Sequence, residues 1–188
     1  MSHEHIEIID HSDWVEALFL PYREMIGEDY DAYRGHVYRS ITYAMHFLEG
    51  NDCQRKMVET ALVYHDIGLW SDKNLAYLEP SEALALQDNE TNSFGLEPET
   101  LKAAIRWHHK MTRYSGHSAK VVNAVRHADW IDASQGMIRK GLTQIQVEAV
   151  QDAIPNYGFP DVLQRLMRDL GGSAIKGNLK VLRHVFKV

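Results

Sequence analysis

The chain has 188 residues, the length of a single domain with a small appendage and enough to bury a sizeable core. Its 20 Lys and Arg against 26 Asp and Glu leave a net charge of -6, which speaks against a general nucleic-acid binder, because that role needs a basic face. Eleven His stand against one Cys, Cys53, so neither an internal disulfide nor a thiolate zinc framework can form, and any metal must be held by imidazole and carboxylate.

No segment approaches the ~18 apolar residues of a membrane span. The first five residues lack the basic-then-apolar pattern of a secretory signal. The expectation is a cytoplasmic protein with no membrane partner. Its single domain has a core over about 20–135 and a helical extension over 136–188.

The dominant period along the chain is helical. Residues 31–49 set Val37, Ile41, Ala44 and Leu48 on one side and His36, Ser40, Tyr43 and Phe47 on the adjacent one. Residues 55–67 carry Val58, Ala61, Leu62 and His65 on one face, and the stretch 67–80 that follows is the least regular. Ser81, after Pro80, reads as the cap of a helix over 82–92. Residues 97–109 open with Pro98, a good first-turn residue, and align Leu101, Ala104, Ile105 and His108. Residues 119–134 align Val122, Val125, Asp129 and Asp132.

Beyond these, Gly141 precedes Thr143 and Gln146, which have the spacing of a capping box. Tyr157-Gly158-Phe159-Pro160-Asp161 reads as a turn that starts another helix. Gly171-Gly172-Ser173 separates it from a last one striped by Ile175, Leu179, Leu182 and Phe186. The sum is about eight helices and an all-α fold.

Three of these helices place a metal-capable side chain where apolar groups belong: His65 with Asp66, His108, and Asp129. A buried carboxylate is costly unless it is paired or binds a metal. With His36 on the preceding helix, His36, His65, Asp66 and Asp129 offer two nitrogens and two oxygens. That mixed set leaves Mn, Fe, Co, Ni, Zn or Mg open. For Asp129 the competing reading is a salt bridge to Arg126. For His108 it is a buried imidazole bonded to a backbone carbonyl, and His109 falls on the polar stripe with Lys102 and Arg106. Asp132 is placed to orient a ligating His, or is a plain helix-face acid. His127 reads as a supporting or surface residue, and His3, His5, His11, His46, His117 and His184 take no role. The four Trp read as core or pocket wall.

The order His36, His65-Asp66, Asp129 resembles the HD superfamily of metal-dependent phosphohydrolases. So do the contexts Gly35-His36-Val37-Tyr38-Arg39, Ala61-Leu62-Val63-Tyr64-His65-Asp66-Ile67-Gly68 and Arg126-His127-Ala128-Asp129. The resemblance covers roughly residues 20–135. It implies an HD-like helical bundle in which those four residues bind one divalent cation. It also implies metal-activated water releasing phosphate from a small phosphorylated metabolite or nucleotide, or cleaving a phosphodiester. Asp66 and His108 then stand nearest the chemistry, with Asp72 as a further acid/base. Arg39 and Lys110 rank first for the substrate phosphate, ahead of Lys73, Arg113 and Arg126.

Relatives with two metals use two further His between the His-Asp pair and the last Asp. Here 67–107 contains none, and only Glu82, Asp88 and Glu90 could substitute, so one metal is expected. Nucleotidase and alarmone-hydrolase branches place an acid shortly after the pair, whereas here Ile67-Gly68-Leu69-Trp70 follows and the first acid is Asp72. The rival expectations are a di-iron oxygenase of the same fold and a regulatory or binding module with a structural metal.

Overall fold

A computed structural model describes residues 5–171. Among them the chain is helix and loop, with no strand. The helices are α1 (Asp13–Phe19), α2 (Arg23–Ile26), α3 (Tyr30–Phe47), α4 (Asp52–Tyr64), α5 (Gly68–Ser71), α6 (Leu78–Thr91), α7 (Pro98–Trp107), α8 (Ala119–Ala133), α9 (Gln144–Ala153) and α10 (Phe159–Gly171). Two 3-10 turns, Leu20–Tyr22 and Gly27–Asp29, link α1, α2 and α3. The all-α reading holds. The helix expected to carry Ile175, Leu179, Leu182 and Phe186 lies outside the described residues, as do His3 and His184. No described helix is long and apolar enough to cross a membrane.

α3 is the axis of the bundle. It packs on α8 and α4 and is also met by α9 and α10. Between Ala32 and Met45 only Arg34 is not buried, so the two-sided pattern expected for this helix understates its burial. A helix buried all round normally reads apolar all round. This one buries His36, Arg39, Ser40 and Thr42 as well, which marks it as the wall of a polar interior.

Four helix starts follow their capping chemistry. Ser12 and Asn51 accept backbone N–H bonds at the starts of α1 and α4. Glu97 caps α7 with Pro98 in its first turn, and Thr143 and Gln146 form the reciprocal capping box of α9. Ser81 differs. α6 starts at Leu78, so Pro80 sits in the first turn, where its missing N–H is not needed, and Ser81 is an interior residue. Its Oγ accepts instead from the backbone N of Gly68 at 2.9 Å. Gly68 allows that approach: a Cβ there would lie 2.3 Å from the carbonyl oxygen of Tyr77.

Two boundaries position the site. α4 stops at Tyr64 and α7 at Trp107, earlier than the periodicity suggests. His65 and His108 are therefore the C-cap residues of these helices, still with helical dihedrals, and Asp66 and His109 follow directly after them.

Candidate metal centre

Four elements converge on one buried point. α3 brings His36, the end of α4 brings His65 and Asp66, the end of α7 brings His108 and His109, and α8 brings Asp129. The Nε2 atoms of His36 and His65 lie 3.0 Å apart. Asp129 Oδ1 is 3.5 Å from each of them, and Asp66 Oδ2 is 3.4 Å from His65 Nε2. The four expected ligands are thus brought together, each at most 3% exposed.

A second group shares Asp66. Its Oδ1 is 3.3 Å from His108 Nε2 and 3.9 Å from His109 Nε2, while His109 Nδ1 is 3.2 Å from Asp129 Oδ2. His36, His65 and Asp66 form one set of atoms close enough to hold a metal ion, and Asp66, His108 and His109 form another.

The ring orientations fit cation binding. His65 Nδ1 donates to the Leu62 carbonyl at 2.6 Å, and His108 Nδ1 donates to the Ile105 carbonyl at 2.5 Å. A carbonyl can only accept, so the proton is fixed on Nδ1 and the Nε2 lone pair faces the centre. His36 Nδ1 donates to Asp132 Oδ2 at 2.7 Å, the carboxylate-to-imidazole support that metal-bound histidines usually have. Asp66 Oδ1 is buried without a hydrogen bond, and His108 Nε2 lies 3.3 Å from it. Two nitrogens each ~2.1 Å from one ion stand ~3.0–3.4 Å apart, which the His36–His65 spacing matches.

Charge balance points the same way. The ion-pair partners of Asp66 and Asp129 are all histidines. Two buried carboxylates with no Arg or Lys need protons on those rings or a divalent cation. The C-terminal ends of α4 and α7 also favour positive charge at this point.

Burial alone would discharge these groups, and their mutual contacts override it. Burial pulls His36 down, but Asp129 and Asp132 together lift it to about 9. Burial pushes the Asp129 carboxyl up, yet His109, His36 and His65 hold it well below the usual carboxylate range. Asp66 is likewise lowered against its burial, by His65, His108 and His109. For His108 burial wins, with the His109 charge adding to it, and brings the ring to about 4, so it is neutral.

The surroundings lock this geometry. Phe159 stacks on the His36 ring with centroids 4.2 Å apart. Tyr33 donates to the Val63 carbonyl at 2.9 Å and accepts from the backbone N of Asp66 at 3.3 Å, pinning the turn that carries the pair. Tyr77, from the irregular segment after α5, places its hydroxyl against His109 Nε2.

Other expected site residues sit elsewhere. Arg39 is buried and committed: it forks onto Asp132 at 2.6 and 2.9 Å and donates to the carbonyls of Ile154 and Pro155. It stiffens the support of His36 and does not present itself to a phosphate at the centre. Asp72 is exposed at the end of α5 and accepts from Ser71 Oγ, so the irregular segment delivers Tyr77 rather than Asp72. Lys110 directly follows His109 and is half-buried, its ammonium 6.0 Å from the Trp107 ring centroid. Glu82 pairs with Arg106, and Asp88 accepts from Tyr22 and Tyr64, so neither supplies a metal ligand. Arg126 bonds to Asn123, His127 and two carbonyls rather than to Asp129.

His109 and Tyr77 were not read from the sequence as members of this centre. The helical phase puts His109 on the polar stripe with Lys102 and Arg106, whereas His109 lies past the C-cap His108 and its ring turns to Asp129 and Tyr77. Tyr77 lies where no periodicity exists. A cavity of about 160 Å³ lies on the Nδ1 side of His36, lined by Arg39, Asp132, Gln151, Asn156, Phe159 and Leu163. The His108–His109 side has its own opening, since the His109 side chain keeps 24% of its surface exposed.

Compared with known proteins, the chain matches no family model, no curated protein and no solved structure.

Proposed function

We propose that this protein is a metal-dependent phosphohydrolase of the HD type, acting on a small phosphorylated metabolite or nucleotide. The observation that carries the reading is the buried pair of carboxylates, Asp66 and Asp129, whose ion-pair partners are all imidazoles, with the Nε2 atoms of His36 and His65 only 3.0 Å apart between them. His36, His65, Asp66 and Asp129 hold one divalent cation. Asp66, His108 and His109 form a second ligand set through the shared carboxylate. A divalent ion supplies Lewis acidity, which acidifies a water and polarises a phosphoryl oxygen.

The residues of the chain do the rest. Asp132 and Arg39 keep His36 oriented, and the Leu62 and Ile105 carbonyls fix the tautomers of His65 and His108. Tyr33, Phe159 and Tyr77 exclude water from the buried side. His109 is the most exposed of the cluster, so the substrate approaches from its side, where Lys110 follows in the chain.

The test is the Asp66→Ala variant, assayed for bound metal and for phosphate release across a panel of phosphate esters. Both are expected to fall sharply, and full retention of either contradicts the proposal. One observation favours a second reading. Two histidine sets sharing Asp66 also fit two irons, as a di-iron oxygenase of this fold requires. Anaerobic metal analysis separates them: two irons per chain with an oxygen-dependent product favours the oxygenase. An apo protein that unfolds, with no turnover on any ester, points to a regulatory or binding module with a structural metal.

A further inference from the structure

The second ligand set is one donor short of the first. His36, His65, Asp66 and Asp129 bring two nitrogens and two oxygens together, whereas Asp66, His108 and His109 bring two nitrogens and a single oxygen. That oxygen, Asp66 Oδ1, is buried without a hydrogen bond. A buried acceptor left unmet is costly, so it marks a place for a positively charged partner.

Tyr77 supplies another oxygen at this point. Its hydroxyl contacts His109 Nε2 and lies 3.5 Å from His108 Nε2, the same two nitrogens that face Asp66 Oδ1. Tyr77 is only 3% exposed. Both rings present the right nitrogen. His108 Nδ1 is spent on the Ile105 carbonyl. His109 Nδ1 lies 3.2 Å from Asp129 Oδ2, an acceptor, which keeps its proton there and leaves the Nε2 lone pair toward Tyr77.

The backbone fixes where this hydroxyl goes. From Ser71 to Ala76 every residue but Leu75 is exposed, and Tyr77 then turns inward. Its carbonyl accepts from the backbone N of Ser81 at 2.9 Å as α6 begins, and the same carbonyl lies against Gly68. Filling the space needs only a ring. A buried tyrosine hydroxyl needs polar partners as well, and those of Tyr77 are two histidines of the centre.

We infer that Tyr77 is a ligand of a second metal ion, binding through its phenolic oxygen beside Asp66, His108 and His109. The inference rests on the metal-dependent reading above. In the metal-free protein the Tyr77 O–H donates to His109 Nε2. The ion takes the place of that proton, which passes to water, and both atoms then turn lone pairs to the ion. Each half of the centre thereby has two nitrogens and two oxygens, with Asp66 shared.

The test uses the full chain, stripped of metal, loaded anaerobically with ferrous iron and then oxidised in air. Wild type is compared with Tyr77→Phe and Tyr33→Phe. Phenolate on ferric iron gives a visible charge-transfer band that imidazole and carboxylate ligands do not give. Wild type is expected to hold two irons and to show the band. Tyr77→Phe keeps the ring, so its helical circular dichroism should match wild type. It is expected to lose the band and to bind the second iron about tenfold or more weakly. Tyr33→Phe is expected to keep the band, because the Tyr33 hydroxyl is spent on the Val63 carbonyl. A wild type without the band overturns the assignment, and that result decides even where Tyr77→Phe fails to fold. A band that survives in Tyr77→Phe, or a second iron held equally by both proteins, also overturns it. A Tyr77-dependent band in a protein that releases no phosphate from any ester leaves the ligand standing and removes the phosphohydrolase reading. Phosphate release without the band does the reverse.

Discussion

Asp66 turns one carboxylate oxygen toward His65 at 3.4 Å and the other toward His108 at 3.3 Å, so a single side chain joins both halves of the centre. Its neighbours are set just as closely, and Asp132 is the clearest case. It touches none of the convergent lone pairs, yet it holds His36 by Nδ1 and is itself held by Arg39. Asp132→Asn should keep the fold and weaken metal binding by ~10–100-fold, measured by competition with a chromophoric chelator. The proton is the metal's competitor. His36 is lifted to about 9, so below that pH a metal must displace a proton from it. Metal affinity should therefore rise with pH up to about 9. In the metal-free protein the signs oppose each other. The raised His36 lends stability that is complete below 6.5 and lost as the pH climbs through about 9. The lowered Asp132 lends stability present above 3.8 and lost as the pH falls below it. Denaturation midpoints of the metal-free protein across this range should fall off on both sides. At this scale His36, His65, Asp66 and Asp129 were legible, because polar groups stood at the phase of a buried face. His109 was not, since it lies beyond the C-cap of α7 and its contacts with Asp129 and Tyr77 are set by packing rather than by helical period.

α4 and α7 end in the same way. Each closes on a histidine with φ -56° and ψ -36° whose Nδ1 returns to the carbonyl three residues back. Two short local signals thus aim two imidazoles at one point, and two helix C-termini follow them in. The element between them, α5, holds the start of α6 close through Gly68, and that contact seats Tyr77 at His109. Gly68→Ala puts a methyl 2.3 Å from the Tyr77 carbonyl oxygen. It should destabilise the protein by ~1–3 kcal/mol in chemical denaturation and weaken metal retention, whereas overpacking with no link to the site would lower stability alone. The helices themselves were largely readable from period and caps, as Pro98 and the Thr143–Gln146 box show. The start of α6 was not. Pro80 and Ser81 carry the same signs in a first turn as just before a helix, and only the packing against Gly68 decides between them.

As a whole, the molecule is a helical bundle whose apolar core encloses a buried polar centre. Around α3 it buries His36, Arg39, Asp129 and Asp132, and beside them His65, Asp66 and His108. Groups of this kind are costly to bury unless their charges are met. Metal and fold are therefore linked, because an ion that binds only the folded state stabilises it by mass action, by ~2.7 kcal/mol at a hundredfold excess over Kd. Removing metal with a chelator should lower the melting temperature, and adding the native ion back should restore it. An unchanged melting temperature would mean that the buried charges are balanced by protons alone. The His-to-Cys imbalance of the sequence carried a real but blunt signal at this scale. It excluded a thiolate site, while among the described histidines only His36, His65, His108 and His109 meet at the centre.

The central claim is that this centre holds a divalent metal through Asp66, and elemental analysis of purified wild type beside Asp66→Ala tests it most directly. At least one divalent ion per wild-type chain and little or none in the variant is the predicted result. Wild type without metal, or a variant that keeps all of it, contradicts the account.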